Sequence, residues 1–201
     1  MNLTRSTLTI LFVLFVSACG APEPIAIPSG PIGTATSDVT IRAVAPRYTV
    51  TEVRVAVPQT LRVSEANSFH PNADVVWRGE PSGDRLAQVA AILNEAAADA
   101  TRNMTVGPAV IVDITLTRFH ALTEKTRYTI GGVHSIRFDL TVRDAVTGAA
   151  IDGPRRIVAD VKAAGGAKAI SEDEEGRTQR VIIVERLTQV LTRELTEPPV
   201  R

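Results

Sequence analysis

The chain has 201 residues, 22 basic against 22 acidic, with 44% apolar and 4% aromatic content. That apolar share supports a folded core, and the even charge gives no cationic excess for nucleic acid. With a single cysteine, the chain has no intramolecular disulfide and no cysteine–zinc site, and scarce aromatics leave little for stacking bases or sugars.

Residues 1–18 have the pattern of a removable export signal. Arg5 precedes an apolar run from Leu8 to Val16 that only Thr9 interrupts, and small residues follow. A helix of that run covers roughly 14 Å, about half of a ~30 Å hydrocarbon core, so it is too short to span a membrane. Val16-Ser17-Ala18-Cys19 then resembles the bacterial lipobox. The resemblance implies that the Cys19 thiol takes a diacylglycerol group, that the peptide before it is removed, and that the new amine is acylated. The membrane would then be a partner through acyl chains on Cys19. Each buried CH₂ contributes about 0.8 kcal/mol, and several chains on one residue exceed what stable anchoring needs. The alternative is an ordinary secretory signal with a chance cysteine. Gly20 stands where an Asp often marks retention at the inner membrane. The resemblance therefore implies an outer-membrane lipoprotein facing the periplasm, with the inner membrane as the alternative.

Residues 19–47 read as the anchor and a tether, since Pro22, Pro24, Pro28, Pro31 and Pro46 favour an extended, solvated chain. Residues 48–197 read as one α+β domain, and residues 198–201 as a tail. From Tyr48 to Val63, Val53, Val55, Val57, Leu61 and Val63 mark one face of a strand, and Pro58 points to a sheet edge or a bulge. A loop follows, and Trp77 reads as a core plug ahead of a helix from Asp84 to Arg102. That helix has a stripe of Leu86, Val89, Ala90, Leu93, Ala96, Ala97 and Ala100, with Arg85 off it. Alternation around Val110–Leu116 and Ile136–Val142 gives two more strands, with a polar turn at residues 123–127 between them. Asp144 to Gly148 is a tight-turn signal, and Ile157, Ala159, Val161 and Ala163 give a fourth strand. Gly165-Gly166 breaks the sheet. Ser171 and Glu174 have capping-box spacing, which predicts a last helix from there to about Leu195 with the acidic run 172–175 at its positive end. The order β-α-β-β-β-α predicts a four-stranded, mostly antiparallel sheet with two helices on one face.

Catalytic patterns are thin. There is no nucleophile elbow and no phosphate loop. His120 and His134 would approach across the hairpin of the second and third strands, where Asp113 or Asp139 could complete a metal site. Histidines on the wet edge of a sheet explain the pair more cheaply, so no metal, cofactor or catalytic residue is assigned.

The layout over residues 53–195 resembles small envelope lipoproteins, among them the auxiliary lipoproteins of ABC-type lipid transporters and the lipoprotein of lipopolysaccharide assembly. Trp77-Arg78-Gly79-Glu80-Pro81 before the first helix and the hairpin around Asp144 and Gly148 carry the resemblance. The first strand departs from the transporter group in lacking its aromatic-rich start, and an uncharacterised lipoprotein family of similar length is the other match in kind. The expectation is a non-catalytic module that docks to an envelope protein. The polar sheet face around Arg137 and Asp139, together with the edge strand near Pro58, would form the surface. A lipid- or glycolipid-binding module with a groove between helices and sheet is the alternative, and a hydrolase built on the histidines is the third.

Overall fold

The computed structural model describes residues 47–197. The expected export signal, Cys19, nearly all of the tether and the tail 198–201 lie outside the described residues. The elements are β1 (Thr49–Ala56), β2 (Val75–Val76), α1 (Arg85–Thr101), β3 (Ala109–His120), α2 (Glu124–Arg127), β4 (Gly132–Asp144), β5 (Ala150–Val158), β6 (Val161–Ala163), α3 (Gly166–Glu174) and α4 (Gln179–Thr196). The class is α+β as expected, but among the described residues the sheet is mixed, with six strands, and there are four helices.

The sheet runs β1-β3-β4-β5. β1 and β3 are parallel, joined by the α1 crossover, while β3, β4 and β5 form the expected antiparallel meander. Alternation of side chains reports which face a strand buries and is blind to its direction, so the parallel pair was not legible. The predicted fourth strand is two strands. Asp160 interrupts it, placing a carboxylate oxygen 3.0 Å from the Ile136 amide where a strand carbonyl would otherwise accept. Beyond that break β6 resumes pairing with the start of β4. β2 is two residues long and pairs in parallel with Phe119 and His120, too short to produce a period. β1 is an edge, as Pro58 suggested, but its irregularity falls between Val50 and Glu52 and it ends before the proline.

One face of the sheet carries α1 and α4. Val89, Ile92, Leu93, Ile183, Leu187 and Leu191 meet Val110, Val112, Ile114, Phe138 and Leu140, none of them more than 1% exposed. At about 25 cal/mol per Å² of apolar area, this layer is the main source of stability. Trp77 is the plug the sequence suggested. It is fully buried, edge-on to Phe119 with ring centroids 5.8 Å apart and planes at 87°. Gly79 lets the chain fold back over it, since a Cβ there would lie 2.3 Å from the indole.

Asp84 caps α1 by accepting the Ala87 amide at 3.0 Å. Arg85, expected on the wet side, is 5% exposed. From its place off the stripe it bonds Glu65 and the carbonyls of Glu80 and Pro81. The last helical region also differs from expectation. Ser171 lies inside α3, its hydroxyl bonding Glu175, and the acidic run stands at the C-terminal end of that helix. Gly176 turns the chain at φ +77°, and α4 starts after Thr178, whose hydroxyl accepts the Val181 amide. A capping box needs its serine at a helix start. Here Gly165 takes that place, so the spacing at Ser171 was coincidental.

Candidate docking face and charged cleft

The sheet face away from α1 and α4 is polar, and its pairs follow from register. Arg143 bonds Asp113 on β3 at 2.6 Å, and Arg156 of β5 grips Asp139 of β4 at 2.5 and 3.2 Å. On the edge strand, Arg54 pairs with Glu52 at 2.8 Å. The bulge between Leu116 and Arg118 shifts the β3 register so that Arg118 stands opposite Arg137. Neither has an ion-pair partner among the described residues, and Arg137 is exposed. Of the two residues singled out from sequence, Arg137 therefore presents a free cation, whereas the Asp139 carboxylate is already engaged by Arg156.

A second concentration of charge lines a cleft of about 220 Å³ between residues 78–79, α2 and the turn from α3 into α4. Arg78 pairs with Glu124 and donates to the Glu65 carbonyl at 2.6 Å. Arg85 grips Glu65 from behind at 2.6 and 3.0 Å, a hydrogen bond that holds the Glu65 carboxyl below its ordinary range. Arg127 is 1% exposed and bonds Asp173 at 2.8 and 3.3 Å, with Glu172 at 3.8 Å. The Tyr128 hydroxyl also donates to Asp173, and burial together with that bond pushes its pKa up. Each carboxylate that lines the cleft is thus held by an arginine, and the arrangement works as a latch that ties α2 to α3 and to the Trp77 turn. A polar turn of the sequence 123–127 gave no sign that Arg127 would be buried. The acidic run, expected to serve a helix cap, instead supplies its counter-charge.

The histidines do not meet as a metal pair. His120 Nε2 lies 2.9 Å from the Pro71 carbonyl. His134, expected on a wet edge, is fully buried, and its Nδ1 accepts the Leu122 amide at 3.2 Å. Burial, reinforced by the nearby Arg127 charge, lowers its pKa to about 4, so it is neutral at ordinary pH. No group of three or more His, Asp or Glu that would hold a metal occurs among the described residues. Nor, among them, is any helix long and apolar enough to cross a membrane.

Several solved structures match the chain at low identity and with TM-scores below 0.5. One is a Xanthomonas campestris protein of the DUF330 family, 10% identical over 77% of this chain and 86% of that one, with a TM-score of 0.45. Another is a candidate lipoprotein from Caulobacter crescentus, 14% identical over 73% and 93%, with a TM-score of 0.35. A third is a minor lipoprotein from Acinetobacter baumannii, 12% identical over 71% and 91%, with a TM-score of 0.32. Among curated proteins, none matches the sequence. Residues 48–201 match the model described as a family of unknown function, DUF6778, and the chain belongs to that family.

Proposed function

We propose that this protein is a lipid-anchored envelope lipoprotein whose domain acts without catalysis, docking to a partner through the polar face of its sheet. The observation that carries the docking is the Arg118–Arg137 pair. Two cations stand side by side across β3 and β4 with no carboxylate bound to either among the described residues, on a face where Arg54, Arg143 and Arg156 are each ion-paired. Adjacent like charges destabilise a sheet slightly, so a cross-strand Arg–Arg pair is a cost that an acidic partner surface would reverse. The anchor rests on the resemblance of residues 16–19 to a lipobox.

Alternative roles fare less well on the same structure. The layer between helices and sheet is filled by the fully buried side chains named above, which leaves a lipid carrier no groove there among the described residues. The histidines of the hydrolase reading are separately engaged, one with the Pro71 carbonyl and one with the Leu122 amide.

Two measurements test the proposal. Intact mass of the membrane-extracted protein should show cleavage before Cys19 with acyl groups on it, and an unmodified thiol would remove the anchor. A photo-crosslinker beside Arg137 in cells should trap one defined envelope partner, and Arg137→Glu should weaken that product several-fold. A trapped product indifferent to the charge reversal would remove the docking face.

A further inference from the structure

The chain contains three lysines, Lys125, Lys162 and Lys168, against nineteen arginines. All three stand at one tip of the domain, where the turn after α2 abuts the corner between β6 and α3. The abutment is backbone against backbone. A Cβ on Gly165 would lie 2.1 Å from the Gly131 amide nitrogen, and one on Gly131 would lie 2.6 Å from that of Gly165. Lys125 sits on α2 with its ammonium 4.6 Å over the Phe69 ring. Lys162 faces Val133 across the β6–β4 ladder, and Lys168 lies in the first turn of α3, just past Gly165. None of the three makes an ion pair among the described residues, whereas most arginines do.

The same tip gathers exposed apolar side chains. Ile130 is 70% exposed, and Phe69, Tyr128, Val133 and Ile170 are each more than 40% exposed. Exposed apolar residues scattered singly need no explanation, but five around three unpaired lysines form a patch. Glu124 and Asp173 beside it are neutralised by Arg78 and Arg127. Glu174 and Glu175 lie at the far end of α3, roughly 9 Å along its axis from Lys168 at 1.5 Å per residue.

We propose that this tip rests on an anionic lipid bilayer, with Ile130 and Val133 entering the headgroup layer while Lys125, Lys162 and Lys168 bind lipid phosphates. Lysine suits the position because its long apolar stem lies along the hydrocarbon boundary while the ammonium reaches the headgroups. Tyrosine sits well at the same depth, and phenylalanine serves on the apolar side of interfacial segments. Most described arginines are instead held in ion pairs with carboxylates, several of them bidentate, a geometry that a fluid surface does not offer. The contact deepens the anchored reading by setting which end of the domain meets the membrane. It is tested without the anchor, so that failure of one is distinguishable from failure of the other.

The experiment is flotation of a purified chain beginning at Gly20, which has no acyl group and keeps the whole folded unit. The vesicles are phosphatidylethanolamine with phosphatidylglycerol, or phosphatidylcholine alone. Binding is expected to the anionic vesicles only, and to fall in high salt. Each lysine near such a surface is worth about 1 kcal/mol, so Lys125→Gln, Lys162→Gln and Lys168→Gln together should weaken partitioning on the order of a hundredfold. Ile130→Asp should weaken it at low salt with no change in thermal midpoint. Equal recovery on both vesicle types, absence of binding at low salt, or full binding by the folded triple variant would each overturn the proposal.

Discussion

Gly79 and Trp77 act as one unit. The indole fills the helix–sheet junction because residue 79 has no side chain, so Gly79→Ala must push the ring or the backbone aside. Overpacking of this kind costs about 1–3 kcal/mol, and the urea midpoint of the variant should fall accordingly, with loss of the buried Trp77 emission. His134 makes a second residue-scale case. Its folded pKa of about 4 lies below the ordinary value of 6.5, so between those values the unfolded chain binds more protons. Stability from this residue is complete above pH 6.5 and is lost as pH falls toward 4, by about 3 kcal/mol in all. His134→Gln keeps an acceptor for the Leu122 amide and does not titrate. The stability difference between wild type and variant should therefore change across that window and level off outside it, as denaturation at a series of pH values would show.

At the scale of elements, the start of α4 separates two readings of one stretch. Capping-box spacing nominates Ser171, whereas the structure gives the capping hydroxyl to Thr178. Loss of an N-cap costs about 1 kcal/mol, while a substitution at an exposed site away from such features stays within about 0.5 kcal/mol. Thr178→Ala should therefore lower the thermal midpoint and Ser171→Ala should leave it nearly unchanged. Two equal effects would mean that α4 begins earlier than Gln179. The charged cleft belongs to this scale as well. Arg127 joins α2 to α3 through Asp173, and breaking a buried pair costs about 3–5 kcal/mol, an upper bound here because Glu172 stays 3.8 Å from Arg127. Asp173→Asn should consequently destabilise far more than Glu174→Gln, although both lie in one acidic run.

Across the whole molecule, β1, β3, β4, β5, α1 and α4 share a single apolar cluster. With one continuous core, unfolding should be a single transition. The only tryptophan of the chain, Trp77, reports from the helix–sheet junction, and far-UV circular dichroism reports from the helices. Their urea midpoints should coincide, and a separate early loss of helix signal would show α4 detaching by itself. The polar sheet face and the lysine tip share β4, with Arg137 in its middle and Val133 near its start. A partner on the first would be held close to the membrane by the second.

Local chemistry in the sequence was enough to specify the extent and stripe of α1, the β3–β4–β5 meander and the Trp77 plug. Each depends on a period, a turn residue or a short motif that neighbouring residues complete among themselves. The parallel pairing of β1, the break at Asp160, the burial of Arg127 and His134 and the engagement of Asp139 were settled only in three dimensions. For all but His134, which bonds the nearer Leu122, the deciding partner lies far away in the chain: Ala109–Thr115 for β1, Ile136 for Asp160, Asp173 for Arg127 and Arg156 for Asp139. Spacing within a window records which face a residue presents, and it is the packing of distant segments that determines what that face meets.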